Sequence, residues 1–306
     1  MRKIKFRGLL VLIASLALVA AACGGDDSSS TASGDSGSTG GTDTVCASAV
    51  ASPGDLLAKI CGDGTIRVST DPAYPPQSSL NVETGEYEGF DIDVATEIAN
   101  RLGVEIAWET PAWEALIAGN WGGRWDMSVG SMTVTQERSE VLDFTPAYYF
   151  TPAFMAVASD SDVTSVDQLA SSVIGVCAGC TYDYYLQGTL NIPGFDFPPN
   201  PIEGAEVRGF NTDATAVQAL DAGQVDAVLS SVSLLQGKID KGAPIKMIGD
   251  PLFFEPLSVA FDKSSDLDDA ALVDAVSGII EEMQADGTLS SLSDEWFGQD
   301  LTKAEA

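Results

Sequence analysis

Two stretches of this chain run in parallel. Ala115-Leu116-Ile117-Ala118-Gly119, then Trp125-Asp126-Met127-Ser128-Val129-Gly130-Ser131, matches Ala219-Leu220-Asp221-Ala222-Gly223, then Val225-Asp226-Ala227-Val228-Leu229-Ser230-Ser231. In each copy a helix ends in Ala-Gly, an aspartate opens a strand, and a serine stands at the strand's tip. The first copy carries an inserted Trp-Gly-Gly segment. A helix and strand of this kind bury their apolar faces only by stacking in layers, which is an α/β architecture. Two such units suggest two lobes whose strand ends point at a shared cleft. Small residues align by chance often enough that the parallel supports this reading without carrying it alone.

The pattern around the repeat agrees. Thr65 to Thr70 alternates like a strand, and Asp71-Pro72-Ala73-Tyr74-Pro75-Pro76 breaks it into a loop. Ligands of α/β sheets bind beyond such carboxyl ends. Gly85 and Gly89 flank a hairpin. Ile92, Ala95, Ile98, Ala99 and Leu102 then fall at helical spacing, closed by Gly103. Further strands are predicted over 104–108, 153–158, 173–177, 207–210 and 256–262. Further helices are predicted from Pro111 and over 162–170, 182–190, 212–222, 266–286 and 289–297. The helix over 266–286 should turn Leu267, Ala271, Val276, Ile279, Ile280 and Met283 inward. The last should pack Leu292, Trp296 and Phe297.

With 306 residues the chain is long enough for two ordinary domains. Its net charge of −30 disfavours nucleic acid as a partner, since phosphate contacts need clustered Lys and Arg. A solvated acidic surface accounts for the charge. The chain has no His, which excludes Ser-His-Asp and Cys-His catalysis and the usual His-bearing zinc sites.

Arg2, Lys3, Lys5 and Arg7 precede an apolar run from Leu9 to Ala22, whose 14 residues are short for a membrane span. Positive start, apolar middle and small residues before a cut predict a signal peptide over 1–22. Val19-Ala20-Ala21-Ala22-Cys23-Gly24 resembles a bacterial lipobox, with Ala20 where a Leu is usual. That implies lipidation of Cys23 and a protein held at the outer face of the cell membrane. A plain secretory signal is the alternative. Gly24 to Thr44, nearly all Gly, Ser, Thr and Asp, predicts a flexible tether.

Cys46 and Cys61 stand 15 positions apart and would close a loop worth ~3 kcal/mol when oxidised. Cys177 and Cys180 form a C-x-x-C. Export favours disulfides for both pairs. A thiol–disulfide oxidoreductase is the alternative for the second pair, but the surrounding pattern is not thioredoxin-like. A metal site would want two more soft ligands, and none is left.

The stretch Gly130-Ser131-Met132-Thr133-Val134-Thr135-Gln136-Glu137-Arg138 ends an apolar run over 125–129 and offers hydroxyls, with Thr135 as N-cap, ahead of an arginine. Arg grips carboxylates bidentately, and free N–H groups at helix starts attract anions. Taken alone, a surface ion pair is the commoner role for such an Arg. Gly179-Cys180-Thr181 is a second strand-to-helix corner of the same kind.

These blocks resemble the family 3 solute-binding proteins, receptors of polar amino-acid ABC importers. Gly89-Phe90-Asp91-Ile92-Asp93-Val94 resembles the family signature. The 130–138 stretch followed by Asp143-Phe144-Thr145-Pro146-Ala147-Tyr148 matches its next block, and Asp286-Gly287-Thr288-Leu289 with Trp296 resembles its ending. The likeness runs from about residue 64 to 299. It implies a two-lobed, type II periplasmic-binding-protein-like α/β fold with two crossing strands as hinge. Lobe 1 would be 64–154, lobe 2 155–256, with a return to lobe 1 over 257–300 and a tail over 301–306. The segment 23–63 would hold the lipidated Cys, the tether and the Cys46–Cys61 pair.

By the same resemblance Arg138 would bind a ligand α-carboxylate with Ser131 and Thr133 assisting, and Thr181 would add its N–H and hydroxyl. Tyr74 and Trp113 would form aromatic walls, and Asp71 would meet a cationic or polar ligand side chain. Many relatives bind the α-amine with an Asp where this chain has Ser231. A buried ammonium needs an anion, so Asp71 or another acid substitutes, or the ligand is not an ordinary α-amino acid. Cys180 and Tyr182 also depart from the usual residues of the pocket. The resemblance implies a monomer with no cofactor, whose partners are a small carboxylate-bearing solute, a polar amino acid first, and an ABC permease. The alternative is a cleft enzyme of the cyclohexadienyl dehydratase type, for which Glu255 or Asp71 would be the acid. A sensor ectodomain is disfavoured because no second apolar segment is present.

Overall fold

A computed structural model describes residues 44–48, 52–197, 199–200 and 202–303. The short helix α1 (Val45–Ser48) and α2 (Leu56–Asp63) lead into β1 (Thr65–Ser69). Asp55 caps α2 by accepting the Ala58 N–H. Leu56 and Ile60 of α2 enter the first apolar core. Residues 56–63 are therefore packed structure, although the sequence reading grouped them with the segment before the lobe.

The loop after β1 folds into a small sheet of β2 (Ala73–Tyr74), β3 (Ser78–Leu80) and β4 (Tyr87–Glu88). Gly89 turns the chain into α3 (Phe90–Leu102). Its φ is 136°, and a Cβ there would stand 2.3 Å from the Gln77 carbonyl oxygen. Only glycine permits that approach, which lets the Phe90 and Asp91 N–H groups donate to the Pro76 and Gln77 carbonyls. Next come β5 (Glu105–Glu109), α4 (Trp113–Ile117) and β6 (Met127–Thr133). The strand expected to end at Val129 runs on to Thr133, because a neighbouring strand pairs Leu257 with Thr133 and Ser258 with Met132. Arg138 sits in a 3₁₀ turn (Arg138–Glu140), followed by β7 (Leu142–Phe144) and the long β8 (Tyr149–Ala158).

The helix expected over 162–170 is a single 3₁₀ turn (Val166–Leu169), opened by a Ser165/Gln168 capping box. Then follow β9 (Val173–Cys177), α5 (Thr181–Leu186), β10 (Glu206–Phe210), α6 (Asp213–Asp221), β11 (Ala227–Ser231) and α7 (Val232–Asp240). The chain closes with β12 (Ile245–Asp262), α8 (Ala270–Ala285) and α9 (Thr288–Phe297). In α8 it is Leu272, not Ala271, that is buried with Val276, Ile279, Ile280 and Met283.

The main sheet runs β10-β9-β11-β8-β12-β6-β1-β5, with β7 also on β12. β1, β5 and β6 pair in parallel at one end, and β9, β10 and β11 at the other. Between them β8 and β12 are antiparallel, matched from Ala158 with Ile245 to Tyr149 with Leu257. Apolar residues divide accordingly. Ile66, Phe90, Val129, Phe261 and Ile280 belong to one core, and Met155, Val176, Leu229 and Phe253 to another. A third, with Ala216, Leu220 and Leu235, lies under α6 and α7. This is a two-lobed α/β fold with two strands passing between the lobes.

The repeat is a shared device. The Asp126 and Asp226 N–H groups donate to the Arg67 and Val173 carbonyls, both at 2.8 Å. Their carboxylates accept the N–H groups of the same two residues, again at 2.8 Å. Each aspartate thus locks the start of its strand to a parallel neighbour. At the C-terminal end, Leu301 accepts the Phe150 N–H and donates to Ser293, and Thr302 is buried. The expected tail is therefore packed at least through Thr302.

Candidate ligand site

The turn after β6 is closed by Thr135, whose hydroxyl accepts the Arg138 N–H at 3.1 Å. This directs Arg138 inward, and only 3% of it is exposed. One terminal nitrogen donates to the Thr133 carbonyl at 2.9 Å and the other to the Gly179 carbonyl at 3.0 Å. The guanidinium carbon lies 4.9 Å from the centre of the Trp113 ring, a cation–π arrangement. Nε is buried with no partner among the described residues. Burial lowers the pKa to about 10, so the group stays charged at neutral pH. Arg138 appears in no ion pair among the described residues. A buried cation left this way calls for an anion.

The hydroxyls expected to serve that anion are engaged elsewhere. Thr133 donates to Glu255 Oε2 at 2.7 Å, Thr181 donates to the same oxygen, and Tyr182 donates to Oε1 at 2.6 Å. Glu255, on β12, is 3% exposed. From the sequence Glu255 is expected only as the acid of the alternative cleft enzyme, not as an acceptor for these hydroxyls. Ser131 takes a positive φ of 55°, and its hydroxyl donates to Asp91 at 2.7 Å. Tyr148 donates to the other Asp91 oxygen at 2.7 Å. Asp91, from the signature motif, is pushed up to about 7 by burial, against the lowering effect of the Tyr148 and Ser131 hydrogen bonds.

Asp71, Tyr74, Trp113, Ser131, Thr133, Arg138, Thr181 and Tyr182 all line one cavity. Its walls come from both halves of the sheet. Ser231 is not on its surface. It is fully buried behind Tyr74, whose hydroxyl donates to it at 2.8 Å, and it caps α7 by accepting the Leu234 N–H. The Asp71 carboxylate accepts the Ala73 N–H at 2.8 Å, and burial raises its pKa.

The cavity also exposes Asn211, Thr212 and Asp213, which the sequence reading did not single out. Asp213 is the first residue of α6 and accepts a 2.7 Å hydrogen bond from Ser230. Burial pushes its pKa up to about 7; Ser230 opposes this, while Glu255 and Asp71 add to it. The signal was present: a strand over 207–210 followed by a helix capped at Thr212 is another strand-to-helix corner at a carboxyl end.

Both cysteine pairs are disulfides, with Cα–Cα distances of 5.2 Å for Cys46–Cys61 and 5.4 Å for Cys177–Cys180. The second lines the cavity. Cys177, Cys180 and Asp213 cluster with ligand atoms within 4.8 Å of one another. The sulfurs are bonded to each other, so they offer no thiolate to a metal. Cys23, the signal segment and the tether lie outside the described residues. No described helix is long and apolar enough to cross a membrane.

A two-lobed α/β fold with a buried arginine facing an interlobe cavity defines a class of solute receptors. Consistent with it, residues 66–299 match the bacterial extracellular solute-binding proteins, family 3, and the chain belongs to that family. It is 29% identical over 254 residues to the L-cystine-binding protein TcyJ of Escherichia coli, covering 81% of this chain and 88% of that one. It is also 29% identical over 254 residues to the L-arginine-binding protein of Pseudomonas aeruginosa, covering 80% of this chain and 92% of that one. Among solved structures, the ancestral amino acid-binding protein AncCDT-1, a precursor of cyclohexadienyl dehydratase, superposes with a TM-score of 0.68 at 27% identity over 79% of this chain and 99% of that one. These relatives are binding proteins. This chain is an extracellular solute-binding protein and not an enzyme.

Proposed function

We propose that the protein binds a polar L-amino acid in this cavity and delivers it to an ABC permease. The observation that carries this is Arg138, a buried guanidinium facing the cavity with no carboxylate paired to it among the described residues. The ligand α-carboxylate takes that place. Asp213 takes the ammonium in place of the aspartate missing at Ser231, and Asp71 meets a cationic or polar side chain. Three acids and one arginine line the cavity, which favours ligands with more positive than negative groups. The names of the relatives support the same class, since they bind cystine, arginine and histidine.

In this reading the lobes are about 64–154 with 257–300, and 155–256, moving on β8 and β12 as the hinge. Arg138 comes from the first lobe and Asp213 from the second, so one amino acid draws both together. In the same reading a signal peptide cut before Cys23, lipidation of that residue and a tether hold a monomer at the outer face of the cell membrane. The test is a thermal-shift and calorimetry panel on protein unfolded and refolded to remove carried-over ligand. Ligand at 100 times Kd should add ~2.7 kcal/mol. Basic and other polar L-amino acids should raise the melting point, and carboxylates lacking the amine should not. Arg138→Ala should weaken binding by roughly 100-fold, since losing one partner of a buried charge pair costs ~2–5 kcal/mol. No shift from any amino acid, or unchanged affinity in Arg138→Ala, refutes the reading.

A further inference from the structure

The proposed binding mode makes no use of the Cys177–Cys180 disulfide, yet that disulfide is part of the cavity wall. Cys177 ends β9 and is buried, whereas Cys180 is only partly buried. The Asp213 carboxylate and both sulfurs lie within 4.8 Å of one another. Between the cysteines, the Gly179 carbonyl accepts from Arg138 at 3.0 Å, which ties the sulfur-bearing turn to the anion site. A short ligand anchored by its carboxylate on Arg138 has its other end within reach of a disulfide and a carboxyl group.

We propose that a thiol-bearing amino acid undergoes thiol–disulfide exchange with Cys180 in this cavity. Exchange proceeds by thiolate attack and depends on access to the sulfur, and Cys180 is the accessible one. The ligand thiolate attacks Cys180 Sγ. A bond forms between the ligand sulfur and Cys180, the Cys177–Cys180 bond breaks, and its electron pair leaves on Cys177. The proton lost by the ligand thiol ends on Cys177, with Asp213 as the adjacent carrier. No oxidant is consumed, and one ligand is captured per disulfide. The proposal rests on the reading of the cavity as the ligand site.

The full chain is treated with limiting L-cysteine, quenched at intervals with an alkylating reagent, and mapped by mass spectrometry. Cys46–Cys61, whose residues are also partly exposed, is the internal reference. Cys177–Cys180 should open at least tenfold faster than the reference, with the cysteine adduct on Cys180. Cysteamine, which has the thiol and amine but no carboxylate for Arg138, should lose most of that preference. Equal opening of the two disulfides, or an equal preference with cysteamine, overturns the proposal and leaves Cys177–Cys180 as a staple of the strand-to-helix turn. Calorimetric binding of thiol-free amino acids would survive that result, so failure of exchange is distinct from failure of the ligand site.

Discussion

Arg138, Asp213 and Glu255 set the electrostatics of the cavity, and each has a separable consequence. If Asp213 holds the ligand ammonium, the cation favours its carboxylate form. A group poised at about 7 then releases protons when ligand binds near neutral pH. Calorimetry in buffers of different ionisation enthalpy should read that release, and affinity should rise from pH 5 to 8. Asp213→Asn should abolish both effects and weaken binding roughly 10- to 100-fold, as expected for a charge-assisted hydrogen bond of ~1.5–3 kcal/mol. Glu255 receives three hydroxyls from β6 and α5. Glu255→Ala leaves them without that acceptor in a buried place, which should cost about 2–4 kcal/mol in urea unfolding. That Arg138, Thr133 and Thr181 share a cavity wall was legible because strand-to-helix corners have a local vocabulary of hydroxyls, turns and arginine, although the two hydroxyls turn to Glu255. Asp213 and Glu255 were less so, because a lone acid beside a helix start or within a strand looks the same whether it faces solvent, a neighbour or a cavity.

Local periodicity served the elements well wherever an element buries one face. The helix read from Ile92 to Leu102 is α3, and the paired aspartates of the repeat open β6 and β11. Where two elements share a boundary, tertiary pairing moved it. β6 extends to Thr133 because β12 pairs with it, and β12 begins at Ile245 rather than Pro256 because β8 does. α7 had no predicted counterpart, for it follows Ser231 without a break in composition. The packing of α2 gives the Cys46–Cys61 disulfide a defined role. It links α1 to a helix whose Leu56 and Ile60 belong to the first core. Replacing both cysteines with serine should cost about 3 kcal/mol of unfolding free energy for a 15-residue loop. Chemical denaturation would measure it, and ligand affinity should change little because the pair lies away from the cavity.

The whole molecule should be more stable in mild acid than at neutral pH. Burial raises the folded-state pKa of Asp91 and Asp213 to about 7, against about 4 in an unfolded chain. The folded state then binds more protons between those values, so stability is lost as pH rises from about 4 to 7. The net charge of −30 acts in the same direction through self-repulsion. Asp286 runs the other way. The Thr288 hydroxyl and N–H, then Arg101, hold it at about 2, and its contribution is lost as pH falls below about 4. Melting temperature should therefore peak near pH 4–5, and Asp213→Asn should raise it at pH 7.5 while flattening the neutral limb.

Residue order by itself determined the α/β class, most of the described helices and the arginine corner. These are written in short-range properties such as hydrophobic period, caps and small polar runs. Only the tertiary structure decided that Ser231 lies behind Tyr74, that Asp213 faces the cavity, and that Glu255 takes the hydroxyls of residues 122 and 74 positions away. Those outcomes depend on where side chains from two lobes point once the sheet is assembled, and no local spacing encodes that direction.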